Sequence, residues 1–213
     1  MSQPFDRGCK VPAPGAIDSQ LNEFWVSNPW DISSQHNLSA YERNRTYLNV
    51  DGDNFVDISF VTGADSDGDG RCVVAADLNG DGRQELIVRQ AGGGPIKIFE
   101  NRFPQQHWLK VSLEGVMSNR LGVGARITAK VGDQEIVRTI NPINSFRSQA
   151  PCLAHFGLED EVTIDELTVH WPSGHQQTLT QITADQHIVI REDSSTPETK
   201  SVQVLSPSSN VAP

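Results

Sequence analysis

Short runs of alternating apolar and polar residues recur along the chain, and the spacing of an amphipathic helix is almost absent. Two alternating runs, Thr46–Asn49 and Phe55–Phe60, flank "VDGDN" and predict a β-hairpin. The β-branched runs "CVVAA" and "LIVR" stand on either side of "DLNGDGRQE" and read as strands. Beyond "AGGGPIKIFENRF" the strand candidates are His107–Leu113, Ala125–Val131, Glu135–Ile140, Cys152–Phe156, Val162–Trp171, Gln177–Thr180 and His187–Arg191. Such dense strands fit a small β-sandwich in which alternate side chains face a shared core. The pattern therefore predicts an all-β protein with no helix longer than about three turns.

The ends read differently. Residues 1–20 carry Pro, Gly and Ser with little apolar content and read as a flexible lead-in, followed by an irregular segment over 21–44. The Ser/Pro/Thr-rich residues 193–213 read as a disordered tail. Between these lie a segment over 45–103 and the strand-dense region over 104–192.

Charge narrows the function. The 213 residues carry a formal net charge of −10, which argues against a nucleic-acid partner, because such binders present basic surface. No apolar run approaches the ~18 residues of a membrane helix, so membrane insertion is not expected. The N-terminal stretch lacks the apolar core of a signal peptide, so the chain is either not exported or a piece of a longer product. Cys9, Cys72 and Cys152 have no metal-site spacing. A Cys72–Cys152 disulfide and two buried free thiols both stay open.

Much of the acidity lies between Asp51 and Asp81, and this changes the picture. In "DLNGDGRQEL", oxygen-bearing side chains recur at every second position: Asp77, Asn79 and Asp81, with Glu85 ninth counting from Asp77. Alternating oxygen ligands on a tight loop suit Ca2+, which takes six to eight oxygens. Gly82 permits the positive φ that wraps the chain round an ion. The twelfth position is Val88, so the bidentate Glu of an EF-hand is missing, and the flanks are strands rather than helices. The expected ligands are the side chains of Asp77, Asn79, Asp81 and Glu85 with the backbone carbonyl of Arg83, whose cationic side chain is expected to point to solvent.

Other candidates weigh less. Asn49, Asp51, Asp53 and Asp57 are better read as a hairpin turn than as a second loop. Asp65, Asp67 and Asp69 repeat the alternate spacing but have Val73 ninth, so a second cation there competes with an acidic solvated turn. Ser173 stands near His175 without the G-x-S-x-G elbow of a serine nucleophile. The six histidines form no H-x-x-x-H pair. Trp25 and Trp30 suit stacking on a sugar, against the alternative that they cap a sheet edge. "GVGAR" has no following helix, so Gly122 and Gly124 mark a bend. "NLS" at Asn37 and "NRT" at Asn44 fit the glycosylation pattern.

These residues resemble two known families. "VVAADLNGDGRQELIV" resembles the calcium loop of FG-GAP repeats, the blades of integrin-type β-propellers. "RTYLNVDGDNFVDISF" and "IKIFENR" resemble the hairpin that closes such a blade. "HWLKVSLEG", "SNRLGVGARI", "FRSQAPCLAHFGL", "IDELTVHWPSG" and "HIVI" resemble, in order, the ASPIC/UnbV domain that commonly follows such repeats in secreted bacterial and cartilage proteins. Where that family usually reads "HFGLG", this chain has Glu159 after Leu158. A propeller typically needs at least about four blades, whereas this resemblance covers about one and a half, so its open edge implies a homodimer, cover from residues 21–44, or the remainder of a longer propeller.

The resemblance implies partial β-propeller blades packed with or followed by a small β-sandwich, and it lends no enzymatic mechanism. The expected function is a non-enzymatic, calcium-stabilised extracellular or periplasmic binding or adhesion module whose protein or glycan partner the sequence does not name. Two alternatives stay open: an accessory domain of a larger enzyme or biosynthetic complex, and a carbohydrate-binding module using Trp25 and Trp30.

Overall fold

The computed structural model describes residues 17–18, 23–24, 43–50, 52–66, 70–90, 95–145 and 148–201. In chain order the elements are β1 (Ile17–Asp18), β2 (Glu23–Phe24), β3 (Tyr47–Val50), β4 (Asn54–Asp57), α1 (Ser59–Thr62), β5 (Gly70–Ala76), β6 (Glu85–Gln90), β7 (Lys97–Phe99), β8 (His107–Glu114), β9 (Arg126–Val131), β10 (Gln134–Thr139), β11 (Ile143–Ser145), β12 (Ser148–Gln149), β13 (Leu153–Glu159), β14 (Thr163–His170), β15 (Gln176–Thr183), β16 (Gln186–Arg191) and β17 (Glu198–Lys200). The described residues are thus almost all strand and loop, with one single-turn helix. The seven strand candidates after residue 107 appear as β8, β9, β10, β13, β14, β15 and β16.

The chain divides into two compact units, residues 1–73 with 88–99 and residues 74–87 with 100–213. The boundary falls inside β5 and β6, which lie with β7 in one sheet of order β5-β6-β7. The sequence reading grouped 74–87 with the segment over 45–103, whereas here it belongs to the second unit.

In the first unit β3 and β4 form the expected hairpin, with Leu48 opposite Val56 and Val50 opposite Asn54. Its turn is closed by the Gly52 amide donating to Asn49 Oδ1 at 3.0 Å. The second run was expected to continue to Phe60 but stops at Asp57. The Asp57 carboxylate accepts the Ser59 amide at 2.9 Å and its hydroxyl at 2.5 Å, which turns the chain into α1. Phe60 and Val61 are left exposed, together with Tyr47, Leu48, Phe55 and Val56.

The second unit contains two four-stranded sheets, β10-β9-β14-β15 and β13-β8-β16-β17. The first is antiparallel throughout. In the second, β8 pairs antiparallel with β13 and parallel with β16. Alternation sends Leu109, Val111 and Leu113 of β8 into one buried cluster. There they meet Ile127 and Ala129 of β9, Phe156 of β13, Leu167 and Val169 of β14, and Ile188 and Ile190 of β16. The opposite face of β8 carries Trp108, Lys110 and Ser112, and Trp108 and Lys110 are buried too.

Glu192, the residue after β16, ties this unit together. One oxygen accepts the successive amides of Val116, Met117 and Ser118 at 2.7, 2.7 and 2.8 Å. The other accepts the Ser118 and Ser173 hydroxyls at 2.8 and 2.6 Å. Burial pushes the Glu192 carboxyl up, but these donors outweigh it and hold the group at about 2. The chain beyond Asp193 is not all irregular: β17 pairs antiparallel with β16, His187 opposite Lys200. Two glycine questions also resolve. Gly122 turns with φ +64°, and a Cβ there would meet Leu113 at 2.7 Å, which fits the expected bend. Glu159, a non-glycine residue, takes φ +53° at a register shift between β13 and β8.

Two predictions follow from these features. Glu159 is exposed and strained, so Glu159→Gly should stabilise the chain by about 0.5–1 kcal/mol in urea unfolding. Glu192 has a depressed folded pKa against an ordinary value of 4.5, so its contribution is full above 4.5 and fades as pH falls towards 2. Glu192→Gln should cost about 2–3 kcal/mol at neutral pH and flatten the loss of melting temperature on acidification below about pH 5.

Candidate functional site

The segment 77–85 belongs to the second unit and is built on the polar face of β8. Asp77 follows β5 directly, and its side chain is 1% exposed. Its Oδ1 accepts the Gly80 amide at 2.6 Å and its Oδ2 accepts the Gly82 amide at 2.7 Å. The Lys110 ammonium, with its side chain 9% exposed, completes the set by pairing with the same Oδ2. A short polar side chain at the head of the loop thus bends the backbone onto itself, as aspartate does in turns.

Asn79 and Asp81 continue the winding. Asn79 Oδ1 accepts the Asp81 amide at 3.0 Å, and its Nδ2 donates to Asp81 Oδ2 at 2.9 Å. Arg83 does not point to solvent as expected. Its guanidinium reaches back to Asp81 Oδ2 through Nε at 3.1 Å and Nη2 at 2.6 Å, while Nη1 donates to the Phe103 carbonyl at 3.0 Å. Burial pushes the Asp81 carboxyl up, but the Arg83 hydrogen bonds prevail and hold it below the usual carboxylate range. The alternation of oxygens identified the loop in the sequence. It gave no sign that two side chains of opposite charge would fold onto them.

The loop's other anchors come from further along the unit. The Asp81, Gly82 and Gln84 carbonyls accept from Gln105 Nε2 at 2.8 Å, His155 Nε2 at 2.7 Å and Asn101 Nδ2 at 3.2 Å. The Arg83 carbonyl between them, the expected backbone ligand, accepts no hydrogen bond among the described residues. Burial holds His155 below its ordinary range, so the neutral ring carries its proton on Nε2, facing the Gly82 carbonyl. The His155 ring stacks on Trp108, with centroids 6.5 Å apart. Gly82 itself has φ +90°, and a Cβ there would meet the Trp108 indole at 2.0 Å. Sequence reading gave Gly82 a conformational reason and missed the steric one.

Glu85, the first residue of β6, is 4% exposed. Its Oε2 accepts the Leu78 amide at 2.8 Å, which brings the carboxylate back to the head of the loop. Its Oε1 is buried with no hydrogen-bond partner. A buried carboxylate oxygen without a donor is costly unless a cation meets it. The side-chain donors of the loop are all oxygen, the kind a hard cation takes. As they stand, no three His, Cys, Asp or Glu side chains among the described residues converge in a metal-holding group. Asp77 is turned to Lys110 and Asp81 to Arg83.

The remaining candidates fall elsewhere. Asp65 pairs with Arg43 at 2.7 Å, and Asp67 and Asp69 lie outside the described residues, as do Asp51, Trp25, Trp30, His36 and Asn37. Asn44 Nδ2 is buried in the first unit, so that side chain is closed to a glycan in the folded state. Ser173 donates to Glu192, and His175 reaches it only through its backbone amide at 3.2 Å. His107 bonds Asp185 at 2.6 Å and His187 bonds Ser112 at 2.8 Å. Cys72 and Cys152 are free thiols, both partly buried. Among the described residues no helix is long and apolar enough to cross a membrane.

The contact between Gly82 and Trp108 gives a direct test of how the loop is seated. Gly82→Ala combines positive φ with overlap against a buried indole. It should cost about 3 kcal/mol or more in urea unfolding, and Trp108→Phe in the same background should recover part of it.

No curated protein matches the chain. Over residues 115–197, from the turn that follows β8 to the turn before β17, the chain matches the family model described as ASPIC and UnbV and is similar to that family there.

Proposed function

We propose that the chain is a calcium-stabilised binding module that performs no catalysis. It would combine an FG-GAP-like propeller segment with a small β-sandwich over 104–192. The two sheets of the second unit, sharing one apolar cluster, support the sandwich part of this reading. The single observation that carries the calcium part is the buried, unpartnered Glu85 Oε1, on a carboxylate whose other oxygen accepts the Leu78 amide at the head of the loop. The side chains of Asp77, Asn79, Asp81 and Glu85 and the Arg83 carbonyl would hold the ion. Calcium would supply charge compensation and register there, joining β5 to β6.

The binding part rests on the first unit. Its hairpin leaves Phe55 65% exposed and Tyr47 54% exposed, with Phe60 and Val61 beside them in sequence. A two-stranded hairpin is marginal alone and gains stability when a third strand or a partner covers it. Such an apolar, open-edged element suits a protein partner, a second copy or further blades better than a sugar. With three carboxylates and one amide, the loop should have the weak affinity of extracellular modules, about 10⁻⁴–10⁻³ M. On this reading the working compartment would be outside the cytosol, in the extracellular space or the periplasm.

Thermal unfolding with calcium and with chelator tests the calcium reading. Calcium should stabilise the wild type by about 2.7 kcal/mol at a hundredfold excess over Kd. Asp81→Ala should abolish most of that gain, whereas Asp53→Ala, in the β3–β4 turn, should keep it. No calcium-dependent shift in the wild type, or equal losses in the two variants, would show that the loop is not the site.

A further inference from the structure

Lys110 is an unusual residue to find at the middle of a central strand. Alternation along β8 places it on the face opposite the apolar cluster, and that face is also buried. Its ammonium meets Asp77 Oδ2 and stands 4.7 Å from the centre of the Trp108 ring. A buried lysine is tolerated only when its charge is matched, and Asp77 and the indole face supply that match. Asp77 is also the first expected ligand of the calcium loop. Its carboxylate already accepts two backbone amides, which leaves few lone-pair directions for a cation.

We infer that Lys110 is a tethered cation that competes with calcium for the Asp77 carboxylate and thereby sets the affinity and the calcium dependence of the loop. This rests on the calcium reading of residues 77–85. Calcium and an ammonium on one carboxylate oxygen repel one another, and burial denies them the screening that weakens surface charges. For calcium to enter, the ammonium must withdraw. A cavity of about 230 Å³ lies beside it, lined by Asp77, Gln84, Lys110, Arg138, Pro151 and His155 among others. That space gives the displaced ammonium room for water, so withdrawal does not require a bare charge in an apolar core. Arg83 makes a similar contact with Asp81, but its side chain is 28% exposed and its pull is correspondingly weaker. When calcium is scarce, Lys110 keeps Asp77 neutralised and the loop wound. When calcium is plentiful, it weakens binding.

The experiment is calorimetric titration of CaCl2 into the purified full chain, wild type and Lys110→Met, which keeps the volume and removes the charge. A tryptophan-fluorescence titration of wild type and Trp108→Phe accompanies it. Lys110→Met should bind calcium at least about tenfold more tightly, equivalent to about 1.4 kcal/mol, and should melt earlier than wild type in chelator. Saturating calcium should change wild-type emission as the ammonium leaves the indole, and Trp108→Phe should lose that change. Equal calcium affinities for wild type and Lys110→Met, with binding abolished by Asp81→Ala, would overturn the inference and leave the loop reading standing. No binding by either protein would overturn both. Should Lys110→Met fail to fold, Lys110→Gln carries the same expectation. A wild type that saturates with calcium without any change in Trp108 emission overturns the inference on its own.

Discussion

A carboxylate removed from water must find donors, and the loop after β5 is shaped by that requirement. Asp77 has almost no exposure, and its two oxygens are met by the Gly80 and Gly82 amides and by Lys110. Each donor imposes a condition. The amides fix the winding of the loop, Gly82 must remain without a side chain against Trp108, and Lys110 must sit on the second face of β8. Weakening any one of them leaves a charge in a low-dielectric setting, which is worth several kcal/mol. The loop and the central strand are therefore one polar assembly.

That assembly explains why β8 is buried on both faces. Leu109, Val111 and Leu113 supply the apolar side, as in any half-buried strand. Trp108 and Lys110 make the other side compatible with a polar loop: one offers a flat ring to a glycine and the other a charge to an aspartate. His155, next to Lys110 across the strand pair, extends the same face by binding the Gly82 carbonyl. The stretch matching ASPIC and UnbV begins at residue 115, just past this strand. The loop-bearing face is thus built from residues before the matched stretch together with His155 within it.

Much of the strand placement along the chain was legible because alternation over six to eight residues is a strong local signal, and every strand from β8 to β16 that contributes to the core announced itself that way. The loop was legible because its oxygens recur at a fixed spacing. Arg83 and Lys110 were not, for different reasons. Arg83 was assigned to solvent from its position in the loop, yet a guanidinium two residues from a carboxylate folds back on it when the carboxylate is part-buried. Lys110 looked like an ordinary polar position in "HWLKVSLEG", since its partner lies 33 residues away and nothing local marks the pair. The end of the hairpin at Asp57 was missed because a side-chain hydrogen bond to Ser59 overrode an apolar alternation that continued to Phe60. β17 was hidden by a Ser/Pro/Thr-rich composition that conceals a three-residue edge strand.

The pairing of β8 also determines the order in which the second unit is completed. β8 is made early, yet both of its neighbours in the sheet come late: β13 after two intervening hairpins, β9–β10 and β11–β12, and parallel β16 near the end. The Glu192 clamp closes onto Val116 across 76 residues of chain. A chain emerging from the ribosome therefore carries β8 with both edges open until β13 has been synthesised, and with one edge open until β16 follows. Contacts this distant in sequence make folding slow and leave the nascent strand open to wrong partners. The early hairpin β9–β10 forms locally, but the core it faces is sealed only when the last long strand arrives.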